Sequence, residues 1–108
     1  MSQREIIPIL LLLTCANEKE AVKITETLLS KKLVVCVKRT NVHSSFLWRG
    51  KSEESSEILL LMETMDNKFE KVENEIKGIH SYGTFVLVAL PIIKTSSGIT
   101  KWMRKELK

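Results

Sequence analysis

Two cysteines, two prolines and four glycines are all that 108 residues contain of those types. Two cysteines are too few for the disulfide framework of a small secreted domain. The scarcity of glycine and proline excludes collagen-like and low-complexity chains. The glycines are isolated, so no Gly-rich phosphate loop exists. Asp66 is the single aspartate, and no Ser/His/Asp arrangement suggests itself. Both absences argue against an enzyme. The apolar run Ile6 to Leu13 is too short to span a bilayer and is interrupted by Pro8. Arg4 precedes that run, but no small-residue cleavage site follows it, so a secretory signal is not expected.

What is present describes an ordinary globular chain. Hydrophobic residues make up 44% and charged residues 28%, a balance that excludes disorder. At 12.4 kDa the chain fits a single domain over residues 1–108. The net charge is +4, from 17 Lys and Arg against 13 Asp and Glu. These charges are scattered, whereas nucleic-acid binders concentrate theirs in a patch or stripe. Neither nucleic acid nor membrane is therefore expected as a partner. Cys15 and Cys36 both lie inside apolar runs, where reduced, buried thiols are usual. A cytoplasmic setting follows.

Ile6 to Cys15 reads as a strand buried on both faces. Asn17 and Glu20 form a capping-box pattern that starts a helix at Glu18 and runs it to Lys31, with Ala21, Ile24, Leu28 and Leu29 at helical spacing. Leu33 to Trp48 turns to β composition, Arg49-Gly50-Lys51 makes a turn, and Glu57 to Met65 returns as the second arm of a hairpin. A second helix follows, capped by Asp66 or Asn67, with Phe69, Val72 and Ile76 facing inward and Gly78 at its end. Thr84 to Leu90 is a strand, and Ser96 or Ser97 caps a last helix that buries Ile99, Trp102 and Met103. The order βαββαβ plus a C-terminal helix predicts an α+β, ferredoxin-like sandwich with helices on one face of a mixed sheet.

That architecture leaves one sheet face uncovered. Ile58, Leu60 and Met62 are apolar on one side of their strand, Leu59 and Leu61 on the other, and Val86 and Val88 oppose Leu87 and Ala89 in the same way. A second apolar face needs a cover the chain does not supply, which predicts an oligomer. Length points the same way. A strand from Leu33 to Trp48 extends about 50 Å at ~3.3 Å per residue, while the first helix covers about 21 Å at ~1.5 Å per residue. The hairpin tip carrying Phe46, Leu47 and Trp48 must project beyond its helices, where a partner would bury it.

Several segments, in order, resemble the CutA divalent-cation tolerance family. They are Leu13-Thr14-Cys15-Ala16-Asn17-Glu18, Val35-Cys36-Val37, Phe46-Leu47-Trp48-Arg49-Gly50-Lys51, Glu57-Ile58-Leu59-Leu60-Leu61, His80-Ser81-Tyr82 and Ile99-Thr100-Lys101-Trp102. The resemblance implies a ferredoxin-like protomer in a tight homotrimer whose hairpins bind neighbouring subunits. It also implies binding of a divalent metal, chiefly Cu(II), and a role in metal tolerance. Where the family reads His-Pro-Tyr-Glu-x-Pro, this chain has His80-Ser81-Tyr82-Gly83-Thr84-Phe85. Gly83 removes an oxygen donor, so weak affinity is expected. Lys38 stands where the family often has Asn.

His80 is the first metal-ligand candidate, because imidazole is a favoured ligand of Cu(II) and Zn(II). The alternative is a loop histidine that hydrogen-bonds nearby backbone. Cys15 is the second candidate, as a thiolate, against the alternative of a buried, protonated thiol. Cys36 is expected to pack among valines and His43 to face solvent or a neighbouring hairpin. By the resemblance, Tyr82, Lys51 and Trp48 gather near the intersubunit cleft. Tyr82 and Lys51 are candidates for holding an unidentified small-molecule ligand, while Phe46, Leu47 and Trp48 are trimer-interface anchors. Glu57 and Glu63 could be acidic ligands, but as strand-end charges they are expected to be solvated. RNA-recognition domains share the fold order but stack bases on aromatics of their central strands, and Ile58 to Met62 offers none. A trimeric small-molecule sensor or adaptor resembling PII signalling proteins is the alternative function.

Overall fold

The computed structural model describes residues 5–108, so Arg4 lies outside the described residues. Four strands form one sheet in the order β2-β3-β1-β4. They are β1 (Pro8–Cys15), β2 (Cys36–Trp48), β3 (Lys51–Met65) and β4 (Leu87–Pro91). Helices α1 (Glu18–Ser30), α2 (Phe69–Lys77) and α3 (Ile99–Glu106) complete the chain, with a 3₁₀ turn at Asp66–Lys68 before α2. This is the expected βαββαβ order with a terminal helix. All three strand pairings are antiparallel, which corrects the mixed sheet. In this order β3 separates β1 from β2, so the two strands joined by α1 never pair directly.

The register sorts the side chains onto two faces. Leu11 faces Met62, Leu13 faces Leu60 and Cys15 faces Ile58 across β1 and β3. These residues and Ile9 form one buried core with Ala21, Ile24 and Leu28 of α1 and Val72 and Ile76 of α2. The other face carries Leu10, Leu12, Leu59 and Leu61, only partly buried, together with Val88 and Leu90, which pair with Leu12 and Leu10 and are exposed. Sequence reasoning left this second face wholly bare. One end of it is in fact covered by α3, whose Met103 and Leu107 pack on Met65 with Ile92 alongside. β4 is an edge strand and begins at Leu87 rather than Thr84.

The hairpin differs from expectation at both ends. β2 starts at Cys36 rather than Leu33, because Leu33 and Val34 enter the core and the buried Thr64 hydroxyl donates to the Leu33 carbonyl at 2.6 Å. β3 starts at Lys51 rather than Glu57. Its polar stretch Ser52 to Ser56 has poor strand propensity, yet it is held by unbroken pairing with β2 from Cys36↔Glu63 to Trp48↔Lys51. Arg49 and Gly50 close the hairpin with positive φ angles of 51° and 80°, the two-residue turn that suits the strand twist. The cap positions of the 3₁₀ turn and α2 fall on Met65 and Lys68 rather than on Asp66 or Asn67, and Asp66 Oδ1 accepts from the Ile7 amide at 3.3 Å. α3 starts after Gly98, in the left-handed region at φ 89°, with no side-chain cap from Ser96 or Ser97. Trp102 is 41% exposed rather than buried.

Candidate metal centre

The site is built where β1 runs into α1. Asn17 caps the helix by accepting from the Glu20 amide at 2.9 Å. Glu20 reaches back to the end of the strand, where its Oε2 accepts from the Ala16 amide at 2.8 Å. The Asn17 half of the expected capping box is present, but the return bond from Glu20 goes to the residue before the cap rather than to the Asn17 amide. The consequence not legible in the sequence is the direction of the Glu20 carboxylate, which that bond aims at Cys15. Its second oxygen, Oε1, accepts from the Ser81 amide at 2.6 Å, tying the loop after α2 to the start of α1.

His80 enters from that loop. Its amide donates to the Ile76 carbonyl at 2.8 Å, just past the end of α2 at Gly78. The imidazole side chain is fully enclosed, 5.0 Å from the Phe85 ring in a stacked arrangement and 4.8 Å from Tyr82. Its Nε2 lies 2.8 Å from the Thr14 carbonyl. A carbonyl only accepts, which assigns the proton to Nε2. Nδ1 then accepts from the Tyr82 amide at 3.1 Å and sits 3.8 Å from Glu20 Oε2.

Ligand atoms of Cys15, Glu20 and His80 all lie within 4.8 Å of one another. Nitrogen, sulfur and oxygen donors in one cluster suit a borderline ion such as Cu(II) or Zn(II). His80 and Glu20 are also internally satisfied, since both imidazole nitrogens and both Glu20 oxygens hold backbone partners. Among the described residues no buried side-chain polar atom lacks one. A metal at this cluster therefore exchanges hydrogen bonds rather than filling a gap. Ligation at His80 Nδ1 releases the Tyr82 amide, and ligation at Cys15 needs its thiolate. Burial, with the charges of Glu20 and Glu57 adding, pushes the Cys15 thiol from 9.0 to about 12, so a metal there must displace a firmly held proton. Burial tends to raise Glu20, but the Ala16 and Ser81 bonds and nearby His80 outweigh it and hold the carboxyl below its ordinary value.

Tyr82 links the site to Glu57. Its hydroxyl donates to Glu57 Oε2 at 2.9 Å, and burial together with Glu57 pushes it up to about 12. Glu57 is only 8% exposed, against the expectation of a solvated charge. Lys51 is six positions further along β3, about 20 Å at ~3.4 Å per residue, so one chain does not bring it to Tyr82. Phe46, Leu47 and Trp48 stand exposed at the hairpin tip, with Leu47 at 78%, and Arg49 lies over the Trp48 ring at 5.7 Å. His43 is exposed, 3.8 Å from Glu54. Cys36 is half-buried and touches Lys38, not a valine pack alone. Glu20 is the member of the cluster that sequence reasoning missed, having been read only as a cap. The signal was the short spacing that puts Cys15 and Glu20 on either side of one strand–helix turn.

Fold and site together define a ferredoxin-like α+β protein with a nitrogen–sulfur–oxygen donor cluster of the type that takes a divalent ion. Comparisons with known proteins bear on the fold and the family. Residues 9–106 match the model of the CutA1 divalent ion tolerance protein family, and the chain belongs to that family. It is 35% identical over 91 residues to the divalent-cation tolerance protein CutA of Archaeoglobus fulgidus, covering 84% of this chain and 89% of that one. It is 30% identical over 93 residues to human Protein CutA, of whose length the match spans 52%. The solved structure of the A. fulgidus protein, described as periplasmic, superposes with a TM-score of 0.92 at 31% identity, covering 94% of this chain and 100% of that one. The Thermus thermophilus divalent cation tolerance protein superposes at 0.91 and 29% identity, covering 94% and 100%. Among the described residues no helix is long and apolar enough to cross a membrane.

Proposed function

We propose that this chain is a divalent-cation binding protein of the CutA type, acting in metal tolerance, with Cu(II) as the metal and His80 and Cys15 as ligands. The convergence of Cys15, Glu20 and His80 within 4.8 Å carries the reading. Glu20 supplies the oxygen that Gly83 removes from the loop. The role is binding rather than catalysis. Affinity is modest, because the ion competes with the Tyr82 amide for Nδ1 and with the proton on Cys15. The protein works as a homotrimer in a reducing compartment such as the cytoplasm. The uncovered part of the second sheet face and the bare tip at Phe46, Leu47 and Trp48 support that assembly.

A calorimetric Cu(II) titration of tag-free protein tests the metal reading, run beside His80→Ala and Cys15→Ala with circular dichroism on each. Near one ion per subunit is expected for the native chain, and loss of the binding heat in both folded variants. No heat at micromolar metal, or unchanged heat in both variants, overturns it. A groove of about 500 Å³ beside the start of α1, lined by Asn17, Asn41, His43 and Ser56, favours the second reading, a PII-like sensor of a small molecule. Lys51 and Tyr82 enter that reading as ligand-cleft residues only through a neighbouring subunit.

A further inference from the structure

The loop that delivers His80 also occupies the ligand atoms of the site. Its Ser81 amide donates to Glu20 Oε1 at 2.6 Å and its Tyr82 amide to His80 Nδ1 at 3.1 Å. The Thr14 carbonyl keeps the proton on Nε2, so Nδ1 holds the one imidazole lone pair that can take an ion. The Tyr82 amide covers that lone pair. A second bond holds the amide there, because the Tyr82 hydroxyl donates to Glu57 Oε2 at 2.9 Å. Glu57 is nearly buried and belongs to β3, paired with Val42 of β2. Tyr82 is thus fastened at both ends, by its amide to the site and by its hydroxyl to the sheet, with its ring 4.8 Å from that of His80. Beyond it the chain is less confined. A Cβ placed at Gly83 would meet no atom within 4 Å, and β4 does not begin until Leu87.

We propose that Tyr82 is a positioning residue for the metal site: its hydroxyl bond to Glu57 latches the loop over His80 Nδ1 and so sets how tightly a divalent cation binds. This inference rests on the metal reading above. The latch works against the ion. With the loop closed, Nδ1 is spent on the Tyr82 amide; with the loop open, Nδ1 is free to ligate. The apparent affinity is the intrinsic affinity scaled by the fraction of chains whose loop is open. A hydroxyl bond to a carboxylate is stronger than a bond between neutral groups, and this one belongs to the closed state. Removing the hydroxyl therefore raises the open fraction and tightens binding. A tyrosine that served as a ligand would do the reverse on removal. Glu57 stands outside the Cys15, Glu20 and His80 cluster, and its part is to anchor the latch on β3.

Two measurements on the whole, tag-free protein test this. Hydrogen exchange at the residue 82 amide, followed by NMR in chelator-washed protein, reports how often the loop opens. Calorimetric Cu(II) titration reports the affinity. Tyr82→Phe keeps the ring beside His80 and removes only the hydroxyl. It is expected to speed exchange about tenfold and to lower the Cu(II) dissociation constant by the same factor, the worth of one such bond. Agreement of the two ratios is what a latch requires, and a merely structural residue would not produce it. Glu57→Gln weakens the same bond from its other end and is expected to speed exchange by a smaller factor. Because it is read without metal, it carries the exchange test even if Tyr82→Phe fails to fold. Unchanged exchange in the folded variants overturns the proposal. So does Cu(II) binding that is unchanged in Tyr82→Phe, or weakened, which would make the hydroxyl a ligand; the metal reading survives either result. No binding heat from the native chain overturns the metal reading and the latch with it, and faster exchange in Tyr82→Phe would then mark a structural tie alone.

Discussion

The two faces of the sheet use the same alternation of residues and end in different states. On the face beneath α1 and α2, Leu11, Leu13, Leu60 and Met62 are fully buried, and the cysteine of that face, Cys15, is sealed among backbone-satisfied polar groups. On the other face, α3 covers only the end near Met65, while Val88 and Leu90 stay exposed at the edge. The cysteine of that face, Cys36, meets an ammonium and a carboxylate instead of a core. The sequence treats both faces as apolar, but the chain has helices enough for one and a fraction of the other. Burial decides chemistry as well as stability. The sealed face hides its thiol behind a raised pKa, and the open face leaves its thiol half-buried beside the Lys38 ammonium.

The sharpest way to break this comparison is to truncate one leucine on each face of the same strand. Leu60→Ala leaves a cavity in the closed core and is expected to lower unfolding free energy by about 2–5 kcal/mol. Leu61→Ala, on the open face, is expected to cost about 1 kcal/mol or less in dilute protomers, where its side chain is only partly buried. Denaturant midpoints at several protein concentrations check both. If subunits cover the open face, the Leu61→Ala effect grows with concentration, because association stabilises only the folded chain. Equal, concentration-independent losses would erase the difference between the faces.

Next in size is His80→Ala. The imidazole bridges the Thr14 carbonyl and the Tyr82 amide while enclosed between rings. Removing it strands two part-buried backbone groups and is expected to cost about 1–3 kcal/mol without any metal present. Chelator-treated protein, unfolded by denaturant, gives the number. A loss under about 0.5 kcal/mol would mean that water replaces the ring at no net cost and that the bridge is not structural.

The element order, the helix-covered core and the Asn17 cap were legible because they rest on local patterns. The apolar run Ile6 to Cys15, 3.6-residue spacing in Ala21, Ile24 and Leu28, and the Asn17–Glu20 pair each needed only neighbours in sequence. Long-range events set the rest. Ser52 to Ser56 become strand because β2 pairs with them, and Gly98 rather than a serine starts α3. Met103 turns α3 onto the second face and leaves Trp102 outside. Of the site, His80 and Cys15 were named from residue type and family resemblance, and Tyr82 from the resemblance alone. Glu20 was missed because a cap satisfies every local reason for its presence, and only the return of the loop at Ser81 shows its other oxygen at work. Lys38 drew notice only as a departure from the family, since its contact with Cys36 depends on both side chains sharing an edge.

The smallest expected effect concerns how the sealed face is held at its polar end, and it separates the parts played by Asn17 and Glu20. Asn17→Ala removes an uncharged acceptor from the Glu20 amide and is expected to cost about 1 kcal/mol at any pH. Glu20→Gln behaves differently. The Glu20 carboxyl is held below its ordinary value of 4.5 by the Ala16 and Ser81 bonds and His80, against the upward push of burial. A depressed folded-state pKa means that the unfolded chain binds the proton first as pH falls. The stability Glu20 contributes is therefore full above its unfolded value and disappears as pH drops through the lower folded value. Unfolding curves at pH 7 should show Glu20→Gln less stable than the native chain, with the gap narrowing steadily below pH 4.5. The Asn17→Ala gap should stay level over the same range. A Glu20→Gln gap that ignores pH would mean that the Ala16 and Ser81 amides bind a neutral carboxamide as well as they bind the carboxylate, and that the end of the sealed face is held by hydrogen-bond geometry alone.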